Sequence, residues 1–215
     1  MKVKVEIPAT LADITLRQYQ RFLKIESPSD MDLMVCMLDS DKNTLSNLKD
    51  SEFKRIALHL TSLFDTKTPL TRVTVLNGVK VGLIPDFDAI TYGENKDITS
   101  YINDWDKMHK AIAVLYRPVT QQIRNKYLIE DYKGTRVTSE MMLDMPLDVV
   151  MGVIVFFWTL TNELLNSIPN FIQKEVEKNP TISLKSGQTM KKLTHSLRAT
   201  LEGMTQLQDL TYTHA

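Results

Sequence analysis

Asn77-Gly78 lies between two stretches in which apolar and polar residues alternate, Arg72-Val-Thr-Val-Leu76 and Val79-Lys-Val-Gly-Leu83. A period of two puts successive side chains on opposite faces of a strand. A two-residue reversal that keeps the natural strand twist needs positive φ at both central positions, and Asn-Gly reaches those angles readily. The stretch therefore predicts an antiparallel hairpin over residues 72–83, turning at Asn77 and Gly78. Pro85 ends its second strand. A lone hairpin is marginal in water, so the rest of the chain must cover one of its faces.

Most of the remaining apolar spacing is helical. Residues 15–25 align Leu16, Tyr19, Phe22 and Leu23, with Asp13 upstream as a cap. Residues 30–38 align Met31, Met34, Val35 and Leu38, and residues 51–64 align Phe53, Ile56, Ala57, Leu60 and Phe64. Residues 104–116 align Trp105, Met108, Ile112 and Leu115, and Arg117-Pro118 predicts the helix end. Pro146 suits a first helical turn, which predicts a helix over 147–165, and a last helix is expected over 189–207. Residues 2–7 alternate as a strand would until Pro8. Residues 127–132 read as a short strand or loop before the turn Lys133-Gly134, and residues 139–143 as a helical turn. There is no internal repeat or low-complexity tract. The expected fold is mainly α with a small β element: a single compact helical domain, its N-terminal strand beside the hairpin. A division into 1–85, helices plus hairpin, and 86–215, a helical core, is the alternative.

The apolar run over 149–158 is too short for a bilayer, which needs about 20 such residues. Thr159, Thr161, Asn162 and Glu163 come directly after it. It reads as a central core helix or a subunit interface, with Gly152 permitting a close approach; no membrane contact is expected. Residues 1–8 hold no apolar leader segment, so no secretory signal is expected. Cys36, the one cysteine, sits between Met34 and Met37 and reads as a buried structural thiol. His59, His109, His195 and His214 lack metal-ligand spacing. No nucleophile elbow, phosphate loop or dinucleotide fingerprint occurs. The expectation is a chain without enzymatic chemistry, cofactor or metal. The 11 methionines, with Met141, Met142 and Met145 before Pro146, serve as core filler or as an adaptable binding surface.

The charges balance at 26 basic and 26 acidic, yet they are not evenly mixed. Asp86, Asp88, Glu94, Asp97, Asp104 and Asp106 are countered locally by Lys96 and Lys107. Arg117, Arg124, Lys126, Lys133 and Arg136 come next, countered by Glu130 and Asp131. Such a layout is solvated surface, with Asp97 and Asp104 placed to favour helix starts, or it is a docking face for copies of the chain or a charged neighbour. The candidate partner-binding residues are Asn77 and Gly78 at the hairpin tip, Asp97, Asp104 and Asp106, and Arg117, Arg124 and Lys126. The C-terminal helix is a further candidate surface. Nucleic-acid binding is not expected; it would need the basic residues on one face beside Tyr127 and Tyr132.

Over residues 84–165 the order of motifs resembles a group of structural and assembly proteins from tailed bacteriophages. The residues that carry the resemblance are Tyr92-Gly-Glu94, Ile98-Thr-Ser-Tyr-Ile102, Met108-His-Lys-Ala-Ile-Ala-Val-Leu-Tyr-Arg-Pro118 and Tyr127-Leu-Ile-Glu-Asp-Tyr-Lys-Gly134. Met145-Pro146 and Phe156-Phe-Trp-Thr-Leu-Thr-Asn-Glu-Leu-Leu165 extend it, and Leu193-Thr-His-Ser-Leu197 is a weaker echo. The opening Leu16-Arg-Gln-Tyr-Gln-Arg-Phe-Leu-Lys-Ile25 is similar in style to small helical tail-assembly chaperones, which bind the tape-measure protein. The resemblance implies a morphogenesis protein that works by binding other phage structural proteins, whether tail, tape-measure or connector components, or copies of itself. It would act in the host cytoplasm as a chaperone, or stay in the virion as a tail, neck or baseplate part. A host-directed regulator such as an anti-defence protein, and an enzyme without recognisable motifs, are the alternatives outside that class.

Overall fold

The computed structural model describes residues 5–160 and Glu163. Helix α1 (Leu16–Leu23) is followed by α2 (Asp30–Met37), α3 (Lys42–Ser46) and α4 (Asp50–Leu63). Strands β1 (Val73–Leu76) and β2 (Val79–Leu83) come next, then α5 (Tyr92–Tyr101) and α6 (Met108–Leu115). Strands β3 (Tyr116–Ile123) and β4 (Lys126–Ile129) come directly after, and α7 runs over residues 147–160.

Local chemistry explains most helix starts. Thr15, Ser29 and Thr91 each accept a bond from the backbone N–H three residues on, and Gln18, Asp32 and Glu94 return the bond to the cap residue. This reciprocal box satisfies two donors that a helix start leaves orphaned. Asp13 is not the cap of α1. It closes a short 3-10 turn, Leu11–Asp13, against Thr10, and Thr15 takes the capping position.

The hairpin forms as expected: Leu76 pairs with Val79, and Asn77 and Gly78 have φ of 49° and 79°. The β element is larger than a hairpin. Four antiparallel strands lie in the order β1-β2-β3-β4, so the fold is a mixture of helices and sheet. The expected helix over 104–116 resolves into a 3-10 turn, Trp105–Lys107, then α6, and the chain becomes strand at Tyr116. Pro118 ends no helix; it sits inside β3, opposite Val81. Its carbonyl accepts from Glu130 N–H at 3.0 Å, so its nitrogen faces β4, where the ladder stops and no donor is needed. The stretch at 127–132 supplies β4, and the turn expected over 139–143 is a 3-10 turn, Met141–Asp144.

The N-terminal strand expected over 2–7 is not found beside the hairpin. Val5, Glu6 and Ile7 have no strand structure, and residues 2–4 lie outside the described residues. The N-terminal region makes its strand-like contact elsewhere: Leu16 N–H donates to Met145 O at 2.9 Å and Leu147 N–H to Ile14 O at 2.8 Å.

One buried cluster joins α1, α2, α4, one sheet face and α6 to the first turns of α7. The helix buried on all sides is α6, where Ala111 to Leu115 are virtually inaccessible. It takes the central place expected for the run over 149–158. In that run Val149, Val150, Val153 and Ile154 are indeed buried, yet Val155 is 41% exposed. Gly152 meets the backbone of Pro69 and Leu70, a connecting segment, and not another helix. The helix expected over 189–207 lies outside the described residues. Among those described, no helix is long and apolar enough to cross a membrane.

Candidate functional site

The sequence-predicted residues do not converge on one surface. Two of them, Asp97 and Arg117, belong to a buried network between α5 and the sheet. The capping box at Thr91 holds the Glu94 carboxylate: its Oε2 accepts from the Thr91 amide at 2.7 Å and the Thr91 hydroxyl at 2.6 Å. Its Oε1 accepts from Arg117 Nη2 at 2.6 Å, and the two side chains are only 5% and 10% exposed. Burial pushes the Glu94 carboxyl up, but the Thr91 bonds and the Arg117 charge outweigh it and hold the group below its ordinary range. The guanidinium lies over the Tyr132 ring, 5.8 Å from its centre. The Tyr132 hydroxyl donates to Asp97 Oδ2, one turn along α5 from Glu94. Burial and the Asp97 carboxylate raise the Tyr132 phenol well above its usual value. Arg117 Nε is buried without a hydrogen-bond partner among the described residues.

Sheet geometry makes room for this network. Gly82 pairs with Arg117, and a Cβ on Gly82 would lie 2.6 Å from Tyr127 Cε2. The missing side chain lets the Tyr127 ring lie flat on β2, where its hydroxyl donates to Leu83 O at 2.7 Å. Arg117 and the Tyr127 ring therefore lie on the face of the sheet opposite Val81, Leu83 and Tyr116, which pack into the core. Arg117 does not join Arg124 and Lys126 in a surface patch.

The other candidates are scattered. Asn77 at the hairpin tip donates to Asp144 Oδ2 at 3.2 Å, and Asp144 also pairs with Arg17 at 3.2 Å. Gly78 is exposed beside it. Asp104 caps the 3-10 turn and holds Lys107 Nζ at 2.6 Å; that bond is the main cause of its lowered carboxyl pKa. Asp106 pairs loosely with Lys24 at 3.5 Å across exposed surface. Arg124 and Lys126 are exposed at the β3–β4 turn, where Arg124 takes a φ of 55°. Among the described residues no cluster of histidine, cysteine or carboxylates has the geometry to hold a metal ion. Cys36 is buried, which raises its thiol pKa.

Glu94 and Tyr132 carry the network, and sequence reading places them only within an acidic run and beside a basic one. The spacing Thr91-x-x-Glu94 is the available signal for a helix start, and so for a carboxylate turned back to its own cap. Nothing in the spacing announces Arg117 as its partner. Compared with known proteins, the chain matches no family model, no curated protein and no solved structure.

Proposed function

We propose that this chain is a morphogenesis protein of a tailed bacteriophage that acts by binding other structural proteins. It is either a tail-assembly chaperone or a tail, neck or baseplate component. The observation that carries the reading is where the phage-like motifs fall. Tyr92-Gly-Glu94, the stretch ending in Tyr116-Arg117-Pro118 and the stretch containing Tyr132 meet in the buried ion-pair network described above. Some of the residues behind the resemblance are thus those that dock α5 on the sheet, which supports reading it as a likeness of framework and of binding role. Fold likeness alone does not assign chemistry, and no catalytic role is carried over with it.

The test is to silence the gene in the phage that carries it and to examine the lysate by electron microscopy. Heads and incomplete tails without infectious particles are the expected result. A normal yield of complete particles would overturn the reading. Mass spectrometry of purified particles then separates its two forms. A fixed copy number per particle marks a virion component, and abundance in lysate with absence from particles marks a chaperone.

A further inference from the structure

The charge layout that remains after the internal network is set aside has a direction. Strand β2 pairs with β3 only through Tyr116, Arg117 and Pro118, so the far half of β3 is joined to β4 as a two-stranded ribbon. On that ribbon Ile123 is 73% exposed and Leu128 is 57% exposed. Leu128 lies opposite Gln121, two residues from Ile123, so both side chains stand on one face. Val79 is exposed on the neighbouring strand. Lys126, opposite Ile123, stands on the same face and Arg124 is at the turn beside it, and neither has an ion-pair partner among the described residues; Lys80 points to the other face, where it donates to Gln122 Oε1 at 3.1 Å.

The opposite end of the sheet leads into exposed carboxylates, with exposed Arg72 beside Leu83. The chain leaves β2 beside Tyr116, the start of β3, and enters the segment that holds Asp86 and Asp88. Tyr92, 84% exposed, opens α5 just beyond. Eight residues of β3 separate the two ends by about 23 Å. That distance prevents the basic ribbon from meeting the acidic segment of its own chain.

We infer that the chain associates head to tail with a second copy of itself, the β3–β4 ribbon of one copy seating on Asp86, Asp88 and Tyr92 of the next. Exposed apolar side chains rimmed by charge are the usual mark of an interaction surface. Here the complementary surface, acidic with an exposed aromatic, is present on the same molecule. Lys126 on the edge strand discourages strand-to-strand addition, so the partner engages the ribbon's face. Two different patches give a heterologous contact, which closes into a ring or continues as a filament. The contact rests on charge placement and exposure, and it holds whether or not the chain serves phage assembly.

Sedimentation velocity of the purified full chain tests it. At low salt and about 100 µM, a concentration that populates even weak specific complexes, the expected mass is a multiple of the single chain. Added salt should weaken association by screening the rim charges. The pair Arg124→Asp and Lys126→Glu should weaken association about tenfold or more, as should Asp86→Lys with Asp88→Lys. Mixing the two double variants should restore it, because each supplies the surface the other accepts. Leu128→Ser, which leaves the charges in place, should also weaken it. Thermal unfolding of the ribbon variants should match the parent, since those sites are exposed; Asp86→Lys with Asp88→Lys loses the bond from Asp88 N–H to Asp86 Oδ1 at 2.9 Å and should melt slightly lower while staying folded at the assay temperature. A chain that stays single at this concentration overturns the inference, as does association indifferent to these changes or a mixture that fails to reassemble.

Discussion

Removing the Arg117 cation should be among the costliest single changes in the protein. Arg117→Met keeps most of the side chain's volume and removes its charge. It leaves Glu94 with a side chain 5% exposed, its Thr91 bonds intact and no cation within reach of Oε1. Breaking one side of a buried pair costs about 3–5 kcal/mol, mainly because the remaining charge stays desolvated. A domain of this size is stable by about 5–15 kcal/mol, so the loss is a large share of the total. The double change Arg117→Met with Glu94→Gln removes the stranded charge and should be less destabilising than Arg117→Met alone. The pH dependence has a definite sign. In the parent, the Glu94 carboxyl is held below its unfolded value. Its stabilising contribution is therefore present above the unfolded pKa, about 4.3, and is lost as pH falls through the folded pKa. Without Arg117 the burial effect gains, the folded pKa rises, and protonation relieves the stranded charge. The gap between parent and variant should narrow from pH 7 toward pH 4. Urea unfolding followed by tryptophan fluorescence, from buried Trp105 and from Trp158, measures both quantities. A loss below about 1 kcal/mol that does not change with pH would refute the view that this pair ties α5 to the sheet.

Three further changes probe the framework. Gly152→Ala places a Cβ 2.5 Å from the Pro69 carbonyl oxygen; the overlap, worth about 1–3 kcal/mol, should exceed the helix-propensity gain of about 1 kcal/mol. Calorimetry should show a lower melting temperature, and a higher one would contradict the close approach. Thr91→Ala removes the cap of α5 and both Thr91 hydroxyl contacts to Glu94, so it should cost about 1 kcal/mol in chemical denaturation and move the Glu94 carboxyl upward in an NMR titration. Gly78→Ala meets no atom within 4 Å but forces a Cβ onto a φ of +79°, so the expected loss of about 1–2 kcal/mol is purely conformational. No measurable loss would mean that the turn has relaxed to another type.

The features readable in the sequence are those whose cause is local. Asn77-Gly78 sets its own backbone angles, α1 and α2 arise from apolar spacing and nearby caps, and α4 arises from apolar spacing without a side-chain cap. Pro118 misleads because its local meaning, a helix terminator, is true of helices and says nothing of the structure beyond the helix. The chain does leave the helix at Leu115, and β2 then supplies a ladder in which a residue without an N–H is acceptable on the β4 side. Charges mislead for a related reason. A run of charge in sequence reads as solvent-facing, yet Arg117 and Glu94 alternate with residues that the sheet and α5 turn inward, and Gly82 opens the space beside them. Asp97, Asn77 and Asp104 are likewise engaged within the chain, by Tyr132, Asp144 and Lys107. Binding capacity on the described surface therefore has to come from charges that folding leaves unmatched. Arg124 and Lys126 stand at one end of β3, with Asp86 and Asp88 at the other. A chain with zero net charge thus carries exposed Arg124 and Lys126 at one end of β3 and exposed Asp86 and Asp88 beyond the other. Overall charge sets solubility and long-range behaviour, but the separation of charge across the fold decides which surfaces can meet.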